Sequence, residues 1–417
     1  MTIEKTQTLI VGAGQAGLAM SEHLTKAGVS HLVLERDRIA ERWRSQRWDA
    51  LVANGPAWHD CFPSMKFKGF DPEAFIPKED IADYLVAYAK MNNSPIRTGV
   101  EVTDVQRLEG GAGFRVKTSD GVIEAGSIVA ATGPFQNPVI PPVIPETAPV
   151  KQMHSSEYRN PDQLPKGAVL VVGAGSSGAQ IADELLRAGR RVYLSTGPHD
   201  RPPRSYRKRD FVWWLGVLGM WDDAALEVGR EHVTIAVSGA RGGNTVNFRQ
   251  LAQNGMILVG RTETYDNGVL TFAQDLVKNL AGGDANYLSL LDAADAYIQR
   301  NGLDLPEEPT ARDTVADAAC ITDPILQLDM EEAGIKSVIW ATGFSADYSW
   351  LKVDAFDETG KPDHQRGVSS EPGVYFLGLP WLSRRGSPFI WGVWHDAKFL
   401  TDHITTQQKY EAYKHPE

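Results

Sequence analysis

Thr6-Gln7-Thr8-Leu9-Ile10-Val11-Gly12-Ala13-Gly14-Gln15-Ala16-Gly17 is a short β-branched run delivered directly into a glycine turn. The first six residues read as a buried parallel strand. Leu18–Ala27 reads as the helix that follows, closed by Gly28, and Ser30–Leu34 as the next strand, ending at Glu35. In such a βαβ unit the first glycine makes a tight turn and the second lets the backbone approach a pyrophosphate. The third lets helix and strand pack closely, while the helix N-terminus stabilises phosphate charge. Glu35 stands 21 residues after Gly14, where a carboxylate accepts hydrogen bonds from a ribose diol.

The arrangement recurs. Ala168–Val172 reads as a strand, Gly173-Ala174-Gly175-Ser176-Ser177-Gly178 as the turn, Ala179–Ala188 as the helix and Arg191–Leu194 as the next strand. At this glycine frequency a bare GxGxxG arises by chance about 0.3 times in such a chain, so one match is weak. Two matches, each set between a strand and a helix, are strong. The second unit ends in Ser195-Thr196 instead of a carboxylate and is followed by Arg201, Arg204, Arg207, Lys208 and Arg209. Hydroxyls and a guanidinium suit a 2′-phosphate, and Arg204 is the expected partner. The second site therefore suits NADPH, and the first an unphosphorylated adenosine such as that of FAD.

Between and beyond these motifs the chain is legible in outline. A helix is predicted over Lys78–Met91. Gly99–Glu124 alternates as antiparallel strands with turns at Gly110-Gly111 and Asp120-Gly121, and Ser127–Ala131 reads as another strand ending in Ala131-Thr132-Gly133. Asn137–Pro149 is proline-rich and reads as an inter-domain linker. Past the second motif come the apolar block Phe211–Trp221, a strand Met256–Gly260, a hairpin at Asp266-Asn267-Gly268 and a helix from Ala273 to about Gln299. Ser337–Ala341 then leads into a second Ala-Thr-Gly, Ala341-Thr342-Gly343.

Length and composition bound the function. The 417 residues suffice for two or three domains, and 39 glycines without a repeat period suit an α/β protein with many turns. The two cysteines, Cys61 and Cys320, form no CxxC pair and no four-cysteine zinc site, so a dithiol reductase is excluded and no metal site is expected. A formal net charge of −11 disfavours nucleic-acid binding. No apolar run approaches the roughly 20 residues of a membrane span, and the N-terminus lacks the marks of a signal peptide, so a cytoplasmic protein is expected.

With two dinucleotide motifs and two Ala-Thr-Gly segments, the whole chain resembles the flavin-containing monooxygenases, in particular their bacterial NAD(P)/FAD-dependent oxidoreductase branch. Further echoes are Glu41-Arg42-Trp43-Arg44 with Arg47-Trp48-Asp49, and Pro203-Arg204-Ser205-Tyr206-Arg207 ahead of Trp213-Trp214. Near the C-terminus Phe376-Leu377-Gly378-Leu379-Pro380 and Arg384-Arg385-Gly386-Ser387 through Asp396-Ala397 add to them. The family linker fingerprint FxGxxxHxxx(F/Y) is half present. His154 and Tyr158 fit, whereas Ala148 and Val150 replace its Phe and Gly. His154 is read as a hinge residue that hydrogen-bonds backbone.

The resemblance implies an α/β fold of two Rossmann-like domains: a discontinuous FAD domain (1–145 and 330–417) and an inserted NADPH domain (146–329), with a linker over 137–166. The expected cofactor-binding residues are Gly12, Gly14, Gln15, Ala16, Gly17, Glu35, Arg36, Arg42, Trp43, Val105, Thr132, Gly133, Gly173, Gly175, Ser176, Ser177, Gly178, Ser195, Thr196, Arg204, Thr342 and Gly343. Asn54, seven residues before Cys61, matches the spacing of a flavin-facing asparagine and is the catalytic candidate; its competing reading is an Asn-Gly turn. Trp391, Trp394 and His395 are the expected substrate contacts, since tryptophans stack on aromatic molecules. The activity implied is transfer of one oxygen atom of dioxygen to a small aromatic or heteroatom-bearing molecule through a flavin C4a-hydroperoxide. The alternative is an NADPH reductase or oxidase that passes electrons to a quinone or partner protein. A homodimer is the open expectation for assembly.

Overall fold

The computed structural model describes residues 3–224 and 234–413. Its first sheet is built on the opening motif: the parallel strands Ile96–Thr98, His31–Glu35, Glu4–Val11, Gly121–Ala130 and Val374–Phe376 lie side by side in that order. Val102–Arg107 and Phe114–Thr118 add an antiparallel meander to Gly121–Ala130. The sequence reading splits that last strand in two. It is one ten-residue strand: residues 121–125 pair within the meander, while residues 123–130 pair with Glu4–Val11.

The second sheet is wholly parallel, in the order Ile257–Val259, Val192–Ser195, Ala168–Val172, Ile335–Trp340, Lys151–His154. This corrects the expected domain boundary at 330. Ile335–Trp340 is bracketed on both sides by strands of the second sheet, so the chain returns to the first domain only after Trp340. The crossing is double: Asn137–Pro138 pairs antiparallel with Phe344–Ser345, tying the outgoing and returning segments together. His154 acts as expected of a hinge residue. It is 1% exposed, its Nδ1 accepts from the Ser156 N–H, and its Nε2 donates to the Gly343 carbonyl. Burial holds its pKa below the ordinary histidine value.

In each domain the glycine helix is pressed against its own turn. Gln15–Lys26 follows the first strand and Ser176–Arg187 the equivalent strand of the second sheet. A Cβ on Gly17 would lie 1.9 Å from the Gly12 carbonyl oxygen, and one on Gly178 would lie 1.8 Å from that of Gly173. Gly12 and Gly173 themselves adopt φ +107° and +109° and abut the carbonyls of Ala131 and Ala341 at would-be Cβ distances of 2.7 and 2.5 Å. Each Ala-Thr-Gly segment therefore serves as the floor on which a glycine turn rests. No side chain fits at these contacts.

The C-terminal helix Ile390–Ala412 returns to pack on Gln15–Lys26. Its Trp394 donates Nε1–H to the buried Glu22 at 2.6 Å, and His23 bonds the Trp394 carbonyl at 3.0 Å with its ring 4.4 Å from the indole. Lys26, Ser64 and Tyr88 also donate to Glu22. Burial opposes its ionisation, but these donors together hold its pKa below the ordinary value.

Two predictions concern stability. Gly17→Ala forces backbone apart and should cost about 3 kcal/mol or more by chemical denaturation of the apo-protein. Burial depresses the His23 pKa from 6.5 to about 4, so the folded state holds this ring neutral while the unfolded chain takes up a proton. Its contribution is present above pH 6.5 and is lost as pH falls toward 4, on the order of 3 kcal/mol. The difference in unfolding free energy between wild type and His23→Gln, measured from pH 7 to pH 4, should shrink accordingly.

Candidate active site

The carboxyl ends of the central strands of both sheets open onto one continuous cavity of about 1880 Å³. In open α/β sheets this is where ligands bind, at the point where strand order reverses. A single small-molecule site spans about 300–1,000 Å³, so the volume suits more than one ligand.

On the first-domain side Gly12, Gly14, Gln15, Ala16, Glu35, Arg36, Arg42, Trp43, Thr132 and Gly133 all line the cavity. A Cβ on Gly14 would meet nothing within 4 Å, so this glycine keeps space clear for a ligand rather than for protein. Glu35 accepts from the Ala13 N–H at 2.8 Å, bringing the carboxylate to the edge of the turn. Arg42 is held by the carbonyls of Phe135 and Gln136 and by Gln46. Arg47 donates to the Gln46 carbonyl and lies over the Phe135 ring. These partners are neutral, and burial together with the neighbouring Arg42 pushes the Arg47 pKa down to about 10. Two half-buried guanidinium groups that line the same cavity as the glycine turn make a receptor for anionic oxygens. Gly17 does not line the cavity; its role is the packing contact with Gly12. Val105 is corrected. It is fully buried in the meander, its N–H donating to the Trp350 carbonyl, and the cavity wall there is Val100, Val102 and Thr103.

On the second-domain side Gly173, Gly175, Ser176, Ser177, Gly178, Ser195, Thr342 and Gly343 line the cavity. The would-be Cβ of Gly175 lies 3.2 Å from Thr234, so this turn is partly overlaid by the segment Thr234–Ile235, to which Ser176 also donates. Thr196 is corrected: it is fully buried, with its hydroxyl donating to the Leu194 carbonyl. The Ser195 hydroxyl reaches the cavity but is bound to Gly260 and Thr262.

Arg204 is the principal correction. It is 6% exposed, does not line the cavity, and is sandwiched between the rings of Phe75 and Phe211. It pairs with Asp210 and donates Nη1–H to the Asn54 carbonyl at 2.6 Å. Its cationic residue type matched a phosphate site, but its side chain points into the domain interface. The basic residue beside the end of Val192–Ser195 is Arg261, whose side chain packs over Gly197 and pairs with Asp275. It lay outside the sequence reading because it follows a different strand.

Asn54 lines the cavity where the two domains meet. Its Oδ1 accepts from Gln180 on the second domain's glycine helix at 2.9 Å, while Gly55 N–H donates to Asp60. The turn is thus held by Asp60, and the Asn54 side-chain oxygen is engaged across the interface. Asp60 also holds His59, whose ring lies 5.3 Å from Trp221 and 5.2 Å from Trp391. His59, Trp221 and Phe389 line an aromatic end of the cavity. The expected substrate residues sit elsewhere: Trp391 backs this wall without lining it, Trp394 is bonded to Glu22 between helices, and His395 is exposed. Helical periodicity explains the error, because neighbours on one helix face different directions. Ion pairs Arg384–Asp222 and Arg385–Asp223 join the two domains across this end.

The profile of the pyridine nucleotide-disulphide oxidoreductase family matches residues 9–214. An uncharacterized CzcO-like oxidoreductase of Geobacillus kaustophilus is 36% identical over 404 residues, covering 95% of this chain and 97% of its own. The chain belongs to this oxidoreductase family. A probable indole-3-pyruvate monooxygenase of Arabidopsis thaliana, YUCCA4, is 26% identical over 416 residues, covering 96% of this chain and 90% of its own. Among solved structures, a flavin-containing monooxygenase of Stenotrophomonas maltophilia shares the fold with TM-score 0.67 at 18% identity, covering 97% of this chain and all of that one. The enzyme is thus an oxidoreductase with the flavin-monooxygenase architecture.

Because Gly14 faces only open space, Gly14→Val should leave apo-protein stability within about 0.5 kcal/mol. It should weaken FAD binding by at least about tenfold, read by flavin fluorescence titration.

Proposed function

We propose that this CzcO-like oxidoreductase binds FAD at the first glycine turn and NADPH at the second, and adds one oxygen atom of dioxygen to a small aromatic or heteroatom-bearing substrate. The observation that carries the reading is that both turns open onto a single cavity, which brings a two-electron donor and its acceptor together. The residues fit the flavin. Gly14 leaves backbone room for a pyrophosphate, Glu35 at the edge of the turn would accept from a ribose diol, and Arg42 and Arg47 would offset phosphate charge. A flavin supplies hydride acceptance from NADPH and activation of dioxygen, chemistry no side chain of this protein provides. The balance is one NADPH, one proton and one dioxygen consumed for one oxygenated product and one water.

The protein's own residues supply orientation. The first turn of Ile390–Ala412 reaches the cavity through Phe389 and Ile390, so its positive end is available to a developing negative charge. The Arg384 and Arg385 pairs with Asp222 and Asp223 tie the two domains together at the aromatic end. Asn54 offers a hydrogen-bond donor to the same space. The absence of a CxxC pair leaves no dithiol to receive the electrons, so they go to dioxygen, a quinone or a partner protein, and the likeness to flavin-containing monooxygenases favours dioxygen.

Asn54→Ala should raise the hydrogen peroxide released per NADPH oxidised by about 2- to 10-fold, the worth of one hydrogen bond. Unchanged coupling would return Asn54 to a purely structural role. Arg261→Ala should raise the KM for NADPH about tenfold while leaving that for NADH within about twofold, since only NADPH carries the 2′-phosphate. Full conversion of dioxygen to peroxide, with every substrate class in a screen of amines, sulfides, ketones and heteroaromatics, would favour the reductase or oxidase alternative instead.

A further inference from the structure

We infer that Gln180 is a positioning residue that sets, from the second domain, which end of the Asn54 carboxamide faces the cavity. The inference rests on the proposed role of Asn54 and adds a residue and a mechanism to it.

Gln180 lies on the glycine helix Ser176–Arg187, one turn after Ser176, and is 8% exposed. Its Nε2 donates to the Val237 carbonyl at 2.7 Å and to Asn54 Oδ1 at 2.9 Å. A main-chain carbonyl only accepts, so the atom facing Val237 has to be the Gln180 amino group. The second N–H of that group then points at Asn54, which has to present its oxygen. One backbone carbonyl thereby decides two side-chain amide orientations in series, where an isolated amide is nearly indifferent to being flipped. The Asn54 amino group is left on the opposite side, with no hydrogen-bond partner among the described residues.

The backbone of Asn54 has no freedom to undo this. Arg204 holds its carbonyl, Asp60 holds the Gly55 N–H, and Gly239 packs so tightly on Ala53 that a Cβ there would lie 2.0 Å from the Ala53 oxygen. Rotation of the carboxamide about its own axis is the remaining freedom, and Gln180 removes it. The hold on the Asn54 carbonyl, the packing on Ala53 and the choice of amide orientation all come from the second domain, so the donor is presented only when the two domains are docked.

The test uses Gln180→Glu, which is isosteric but places an acceptor opposite Asn54, and Gln180→Leu, which removes the contact. In the apo-protein with 15N-labelled asparagine, the Asn54 side-chain amide protons (assigned by their loss in Asn54→Ala) should exchange freely with water. In Gln180→Glu the carboxamide turns to donate to the new carboxylate, and that exchange should slow by at least about tenfold. Unchanged exchange overturns the inference, whatever the activity. In the flavin-loaded enzyme, Gln180→Leu should increase peroxide release per NADPH by about 2- to 10-fold in the wild-type background and add nothing to Asn54→Ala. Additive effects, or a silent Gln180→Leu beside an uncoupled Asn54→Ala, overturn it while leaving the role of Asn54 standing. If Asn54→Ala is itself silent, the role proposed for Asn54 fails, and proton exchange alone then decides whether Gln180 orients it.

Discussion

Two carbonyl oxygens, those of Gly12 and Gly173, sit less than 2 Å from where a Cβ on Gly17 or Gly178 would be. This contact lets each glycine helix begin directly above its own turn, so that the helix N-terminus and the turn amides face the same point. The turns in turn rest on the Ala131 and Ala341 carbonyls, at the end of the adjacent strand in each sheet. Two close backbone approaches per domain thus aim two helix N-termini into one cavity. Everything proposed about cofactors follows from that aim.

The second constraint is the grip of the inserted domain on residues 53–60. Arg204, buried in an ion pair with Asp210 of its own domain, reaches across the interface to the Asn54 carbonyl and the Phe75 ring. Such a pair adds little net stability, because desolvation offsets most of the attraction, but removing one partner is costly. Its value here is geometric. The Asn54 backbone is fixed by Arg204 and its side chain by Gln180, so the site is composite, and neither domain alone would hold it. The same holds at the aromatic end, where Arg384 and Arg385 of the first domain meet Asp222 and Asp223 of the second.

Much of the fold was legible because it depends on neighbours along the chain. The helix Lys78–Met91 and the strand Ala168–Val172 fall where periodicity puts them. The Asp266-Asn267-Gly268 hairpin forms with positive φ at Asn267 and Gly268. The proline-rich crossing is present too, reinforced by a pairing with Phe344–Ser345 that composition does not announce. The strand Ile335–Trp340 was recognised but assigned to the wrong domain, since its apolar sequence suits either sheet and only its neighbours decide.

For the site, spacing carried Gly12, Gly14, Gly173, Gly175, Gly178 and Glu35 to the cavity, because a turn's geometry follows from local sequence, and the resemblance carried Arg36, Arg42 and Asn54 there. Residue type alone carried Arg204, Thr196, Trp394 and His395, and each faces elsewhere. Their directions are set by partners such as Asn54, 150 residues from Arg204, and Glu22, 372 residues from Trp394. His59, Trp221, Arg261 and Gln180 emerged only from the folded chain for the same reason. Sequence determined that two dinucleotide turns exist and what chemistry they suit, since backbone approach and helix polarity are local properties. Tertiary packing decided which polar and aromatic side chains look into the cavity, since a side chain's direction is fixed by whatever closes against it.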